Sequence, residues 1–163
     1  MYRVTKIIDH IDEHQFISKE EFDHVRHRFD KDSIDIQGHL LNIIRNGKQP
    51  NIHIILGSTS VVDKDYKNQL QEYYIFNITE ERVNFSNSSS LINSLSVNDT
   101  SDFDLIVCMR GGGSGLEVFN NTNLATQVVA LKTPFVTALV HKSDLTMVGR
   151  IADRGFATPT ALE

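Results

Sequence analysis

The sequence predicts an α/β fold: a parallel or mostly parallel sheet of about four or more strands, with helices on both faces in a Rossmann-like three-layer arrangement, preceded by a helical N-terminal segment. Three observations predict it. The short apolar runs NIHIILG (51–57), FDLIVCM (103–109) and PFVTALV (134–140) read as strands buried on both faces, because their apolar residues are continuous rather than alternating. Helical patterns separate these runs, which is the arrangement of βαβ units. The texture of the chain also changes at Pro50, so the expected division is a helical extension over 1–48 and an α/β domain over 49–163.

Before Pro50, Ile7, Ile8 and Ile11 fall on one face of a short helix. Ser18 followed by Glu21 is a capping-box pattern opening a second helix, whose Phe22, Val25 and Phe29 share a stripe. A third is expected from Ser33, with Ile36, Leu40, Ile43 and Ile44 at helical spacing and Asn46-Gly47 as its stop. After the strand NIHIILG, a polar amphipathic helix is expected over 61–72, then a strand at YYIFNI (73–78). The run NFSNSSS (84–90) reads as a polar loop before a short helix over 91–95. One helix is expected over 115–131, between the strands FDLIVCM and PFVTALV. From Asp144 the chain reads as a helix interrupted by Gly155 and Pro159.

Hydrophobic residues make up 40% of the chain and charged residues 23%, which fits a soluble globular protein, and no apolar run approaches the roughly 20 residues that span a bilayer. The N-terminal run MYRVTKIIDHIDEH carries charges throughout and has no apolar signal region. A single cysteine, Cys108, excludes a disulfide framework within the chain; it reads as a small buried hydrophobe, and a cytoplasmic location is expected. The formal net charge of −5 argues against a broad electrostatic footprint for nucleic acid, though not against a local basic site.

In a parallel sheet, the loops that follow the strands gather on one edge, and ligands bind there. The first such loop brings Gly57-Ser58-Thr59-Ser60 and then Asp63 and Asp65; the third brings Arg110-Gly111-Gly112-Gly113-Ser114; the fourth brings His141 and Asp144. A glycine run between a strand and a helix presents bare backbone N–H groups to an anion, and Arg110 adds a fork of donors suited to phosphate. His141 is a candidate general acid or base, Asp144 is placed to orient its ring, and Asp65 to orient a water or bind a metal. The set suits phosphodiester hydrolysis better than hydride transfer, since neither G-x-G-x-x-G nor G-x-x-x-x-G-K-[ST] occurs. By itself, however, the glycine run is equally compatible with a tight strand-to-helix connection. HIDEH (10–14) matches H-x-x-E-H, but it is a five-residue match in a stretch rich in Asp, Glu and His; like His24, His27 and Glu20, it reads as a charged helix face.

DLIVCMRGGGSGLEVFNN followed by LKTPFVTALVHKSDLTMVGRIADRGFATPTA resembles the catalytic domain of the exodeoxyribonuclease VII large subunit. That family has a strand ending R-G-G-G-S, acidic residues and Phe-Asn, a strand leading into G-H-E-x-D, then A-D and T-P-[ST]-A. Here the corresponding residues are Arg110 to Ser114, Glu117, Phe119-Asn120, Pro134, His141, Asp144, Ala152-Asp153 and Thr158 to Ala161. The resemblance spans about 50–161 and implies cleavage of single-stranded DNA, with Asp65, Arg110, His141 and Asp144 as catalytic residues, Arg110 to Ser114 as the phosphate cradle, and Glu117 and Asp153 as supporting groups. It implies no required cofactor (a divalent metal is compatible but not indicated), single-stranded DNA and a small helical subunit as partners, and no membrane. Val140 and Lys142 stand where the family has glycine and glutamate, and residues before 50 do not resemble its OB-type DNA-binding domain. The chain therefore reads as a shortened relative, or a piece of one, and a non-catalytic module that binds nucleic acid or a nucleotide is the alternative function.

Overall fold

The computed structural model describes Lys19, Asp23 and Arg26 and residues 35–58, 73–111, 115–139 and 146–156. Of the helix expected from Ser18, only Lys19, Asp23 and Arg26 are described, and all three are helical; the helix expected around Ile7 to Ile11 and that over 61–72 lie outside the described residues.

Among the described residues, five strands, β1 (Asn51–Gly57), β2 (Asn77–Val83), β3 (Leu105–Arg110), β4 (Phe135–Leu139) and β5 (Arg154–Phe156), form one sheet in the order β2-β1-β3-β4-β5. Every pairing is parallel. The continuous apolar runs are indeed the central strands: β3 and β4 are buried along their whole length because both faces are covered. On one face, Ile55, Ile106, Cys108 and Phe135 pack against α2 (Ser88–Asn98), α3 (Thr122–Ala130) and α4 (Met147–Ile151), which contribute Leu91, Leu95, Leu124, Val128 and Ile151. On the other, Ile54, Leu56, Val107, Met109 and Val136 are covered in part by Ile36 and Leu40 of α1 (Ile36–Arg45) and by Phe76.

Five local expectations are corrected. YYIFNI is not the second strand: Tyr73–Ile75 is a 3₁₀ turn, and β2 is the more polar NITEERV that follows. An edge strand pairs on one side only, so a half-exposed, polar sequence suffices there and the apolar signal misplaces it. The serines of NFSNSSS do not all lie in a loop; Asn87 caps α2 by accepting from the Ser89 N–H at 2.9 Å, which draws Ser88 to Ser90 into its first turn. The single helix expected over 115–131 is divided: Leu116–Asn120 is a 3₁₀ turn, Asn121 is extended, and its Oδ1 caps α3 at the Leu124 N–H, 3.1 Å away. After α4, opened by Thr146, the chain turns into β5 instead of continuing as an interrupted helix. At Gly155 the backbone comes close to α4: a Cβ there would stand 3.1 Å from the Gly149 carbonyl oxygen, a tight contact. The helix α1 opens at Asp35, whose carboxylate accepts from the Gly38 N–H, two residues later than Ser33.

Candidate functional site at the carboxyl edge of the sheet

With all strands parallel, Gly57, Val83, Arg110, Leu139 and Phe156 end on one edge. The strand order reverses between β1 and β3, the place where an open α/β sheet leaves a crevice for ligand. Arg110 ends β3 at that reversal and stands in register with Leu139 of β4. It is 6% exposed, so the sheet and its covering layer withdraw a permanent charge from water; such burial is costly unless the charge is matched. Strand alternation puts it on the face of Ile106 and Cys108, under α2 and α3. Gly111, half-buried, follows immediately.

A cavity of about 580 Å³ opens on the same edge, between the turn after β2 and the 3₁₀ turn after β3. Phe85, Ser86, Ser88, Glu117, Asn120 and Asn121 are among the residues that line it, and Gly115, also on its wall, adopts φ 94 beside the Phe85 carbonyl. Phe85 meets the fully buried Phe119 edge to face with ring centroids 5.3 Å apart, which locks the turn after β2 onto the turn after β3. Asn120 Oδ1 accepts from the Met147 N–H at 2.9 Å and so ties this turn to the start of α4.

The candidate residues are thus distributed as follows. Arg110, Gly111 and Glu117 stand on the carboxyl edge, Glu117 exposed on the cavity wall. Asp153 stands at the opposite edge: its Oδ2 accepts from the Phe135 N–H at 2.8 Å and its own N–H donates to the Phe135 carbonyl at 2.9 Å, a bracket around the first residue of β4. Asp65, Gly112, Gly113, Ser114, His141 and Asp144 lie outside the described residues, as do Val140, Lys142 and the HIDEH run. Among the described residues, no group of three or more His, Cys, Asp or Glu side chains is placed to hold a metal ion, and no helix is long and apolar enough to cross a membrane. Cys108 is fully buried, and desolvation pushes its thiol far above the usual range, which suppresses the reactive thiolate.

Two groups of edge residues escaped the reading of the sequence. Arg82, the penultimate residue of β2, donates from Nη1 to the Gly57 carbonyl at 3.3 Å and brings a second guanidinium to the carboxyl edge. Its place was hidden because β2 itself was assigned too early in the chain. Ser86, Ser88 and Asn121 fell in segments read as loop or helix interior; the Asn-x-Ser and Asn-x-x-Leu spacings of their caps were the available signal.

Fold and edge together define an α/β domain whose parallel sheet reverses its strand order at β1 and β3, with Arg110 at that switch. Residues 50–162 match the family model described as exonuclease VII, large subunit, and the chain belongs to that family. It is 40% identical over 76 residues to the exodeoxyribonuclease 7 large subunit of Campylobacter hominis, a match covering 45% of this chain and 20% of that protein. With the Campylobacter jejuni protein of the same name the identity is 36% over 94 residues, covering 56% and 24%. With that of Clostridium botulinum it is 40% over 77 residues, covering 45% and 19%. The aligned part thus spans only about a fifth to a quarter of the length of these relatives.

Proposed function

We propose that the chain hydrolyses phosphodiester bonds of single-stranded DNA. Arg110 and the amides of Gly111 to Gly113 hold the scissile phosphate, His141 transfers protons, and Asp65 and Asp144 orient water and imidazole. The observation that carries the reading is the position of Arg110: a buried guanidinium at the carboxyl end of β3, at the strand-order reversal, entering the glycine run directly. A phosphate there meets a fixed positive charge in a site of low dielectric, where the interaction is stronger than in water. His141 follows Leu139, the strand end in register with Arg110, by two residues in sequence. Membership of the exonuclease VII large subunit family supports the same chemistry. A small helical subunit of the kind that partners the family is the proposed protein partner, and no cofactor is required.

The test is purified chain with end-labelled single-stranded and duplex DNA, with and without chelator, beside a His141→Ala variant. Cleavage of the single strand is expected, with a loss of about 10²- to 10⁴-fold in the variant. Wild-type-like cleavage by that variant removes His141 from the mechanism. A second reading is motivated by Val140 and Lys142, which flank His141 and replace the family's glycine and glutamate: a non-catalytic module that binds single-stranded DNA. Retention of labelled DNA without any cleavage selects it.

A further inference from the structure

We infer that the cavity between the turns after β2 and β3 is a nucleobase subsite, which takes the base of a nucleotide flanking the phosphate held at Arg110; the inference rests on the proposal that the edge binds single-stranded DNA. Its volume of about 580 Å³ lies within the range of small-ligand sites. Among the described residues that line it there is no Lys or Arg, and the one charged group is the Glu117 carboxylate, so a second phosphate would meet a like charge there. The chemistry on offer is that of a neutral polar ring: two hydroxyls from Ser86 and Ser88, the Asn120 and Asn121 amides, and one carboxylate.

The amides are oriented by the backbone. An N–H can only donate, so the Met147 and Leu124 N–H groups fix Oδ1 of Asn120 and Asn121 as the acceptors. Each Nδ2 is then left as a donor with no partner among the described residues. Preset donors beside a carboxylate acceptor can match a base edge, which presents both kinds of group. The Phe85–Phe119 contact and the Asn120–Met147 bond hold the wall in place before ligand arrives, which lowers the ordering cost of binding. The cavity wall resumes at Gly115, five residues after Arg110, so base and phosphate sites lie on one edge along a continuous piece of chain.

The test is an NMR titration of the full chain with deoxycytidine, thymidine, deoxyribose 5-phosphate and inorganic phosphate, none of which requires catalysis. Both deoxynucleosides are expected to shift the Asn120 and Asn121 side-chain amides, with deoxycytidine the tighter because Glu117 accepts from its exocyclic amine. Glu117→Gln is expected to narrow the difference between the two by about tenfold. Ser86→Trp, at an exposed position, is expected to fill the cavity and abolish both responses. The inference is overturned if neither nucleoside shifts these residues at millimolar concentration, or if inorganic phosphate shifts them equally well. In a parallel cleavage assay, an abasic nucleotide is expected to slow hydrolysis at the adjacent bond in the wild type. Equal cleavage of intact and abasic strands overturns the subsite while leaving the nuclease reading standing. Absence of cleavage in all substrates removes the nuclease reading, and the titration still decides the subsite.

Discussion

Asp99 closes α2 and holds the turn that leads into β4, and its replacement by alanine is expected to destabilise the chain by about 2–3 kcal/mol. The carboxylate accepts from the Thr133 N–H at 2.8 Å and from the Lys132 N–H at 3.0 and 3.1 Å. The two donors differ in what they lose. Thr133 is buried, so its N–H is stripped of a charged acceptor without water to replace it, which costs about 1.5–3 kcal/mol. Lys132 is exposed, so water takes over its N–H and little more than about 0.5 kcal/mol is added. Asp99→Asn keeps one acceptor oxygen for Thr133 and is expected to lose about half as much. The dependence on pH follows from the direction of the carboxyl's shift. Burial raises its pKa, but the hydrogen bonds from Thr133 and Lys132 together outweigh burial and leave it below the ordinary value. A depressed carboxylate contributes stability above its unfolded pKa, near 3.9, and loses it as pH falls through the lower folded value. Urea denaturation at pH 7 and at about pH 2.5 reads both effects. A wild-type advantage over Asp99→Ala below about 0.5 kcal/mol at pH 7, or one of equal size at both pH values, refutes this account.

Other outcomes follow from the same structure. Glu81 Oε2 receives the Ser94 hydroxyl at 2.7 Å, His53 Nε2 at 3.0 Å and Asn98 Nδ2 at 3.1 Å, so Glu81→Ala is expected to cost about 2–3 kcal/mol in urea unfolding. Adding His53→Leu is expected to recover part of that loss, because it removes a ring that is 2% exposed; additive costs in the double-mutant cycle contradict the coupling. Phe119→Ala opens a hole beneath the candidate edge and is expected to lower stability by about 3–5 kcal/mol. Cys108 is expected to resist a thiol reagent in the native state and to react at the rate of opening in mild denaturant; fast native labelling contradicts its burial.

The sequence alone determined the central sheet and the residue, Arg110, that ends its β3 strand. β1, β3 and β4 are buried on both faces, so their residues had to be continuously apolar, and that pattern is legible without neighbours. Arg110 followed by glycines was visible because a charge and a bare backbone interrupt such a run. Local chemistry was less decisive where the tertiary structure chose among several options. β2 and β5 became strands through pairing at the two ends of the sheet, and polar NITEERV or a three-residue RGF carries little intrinsic strand signal. Ser94, a polar residue of α2, is buried, and its hydroxyl donates to Glu81 of β2 at 2.7 Å. The cavity is likewise a property of the assembled edge: Ser86 and Asn120 are 34 positions apart (120 minus 86), and only the parallel sheet and the Phe85–Phe119 contact bring their turns together. Strand identity is set by burial along one segment, whereas the cavity depends on which strand ends the sheet places side by side.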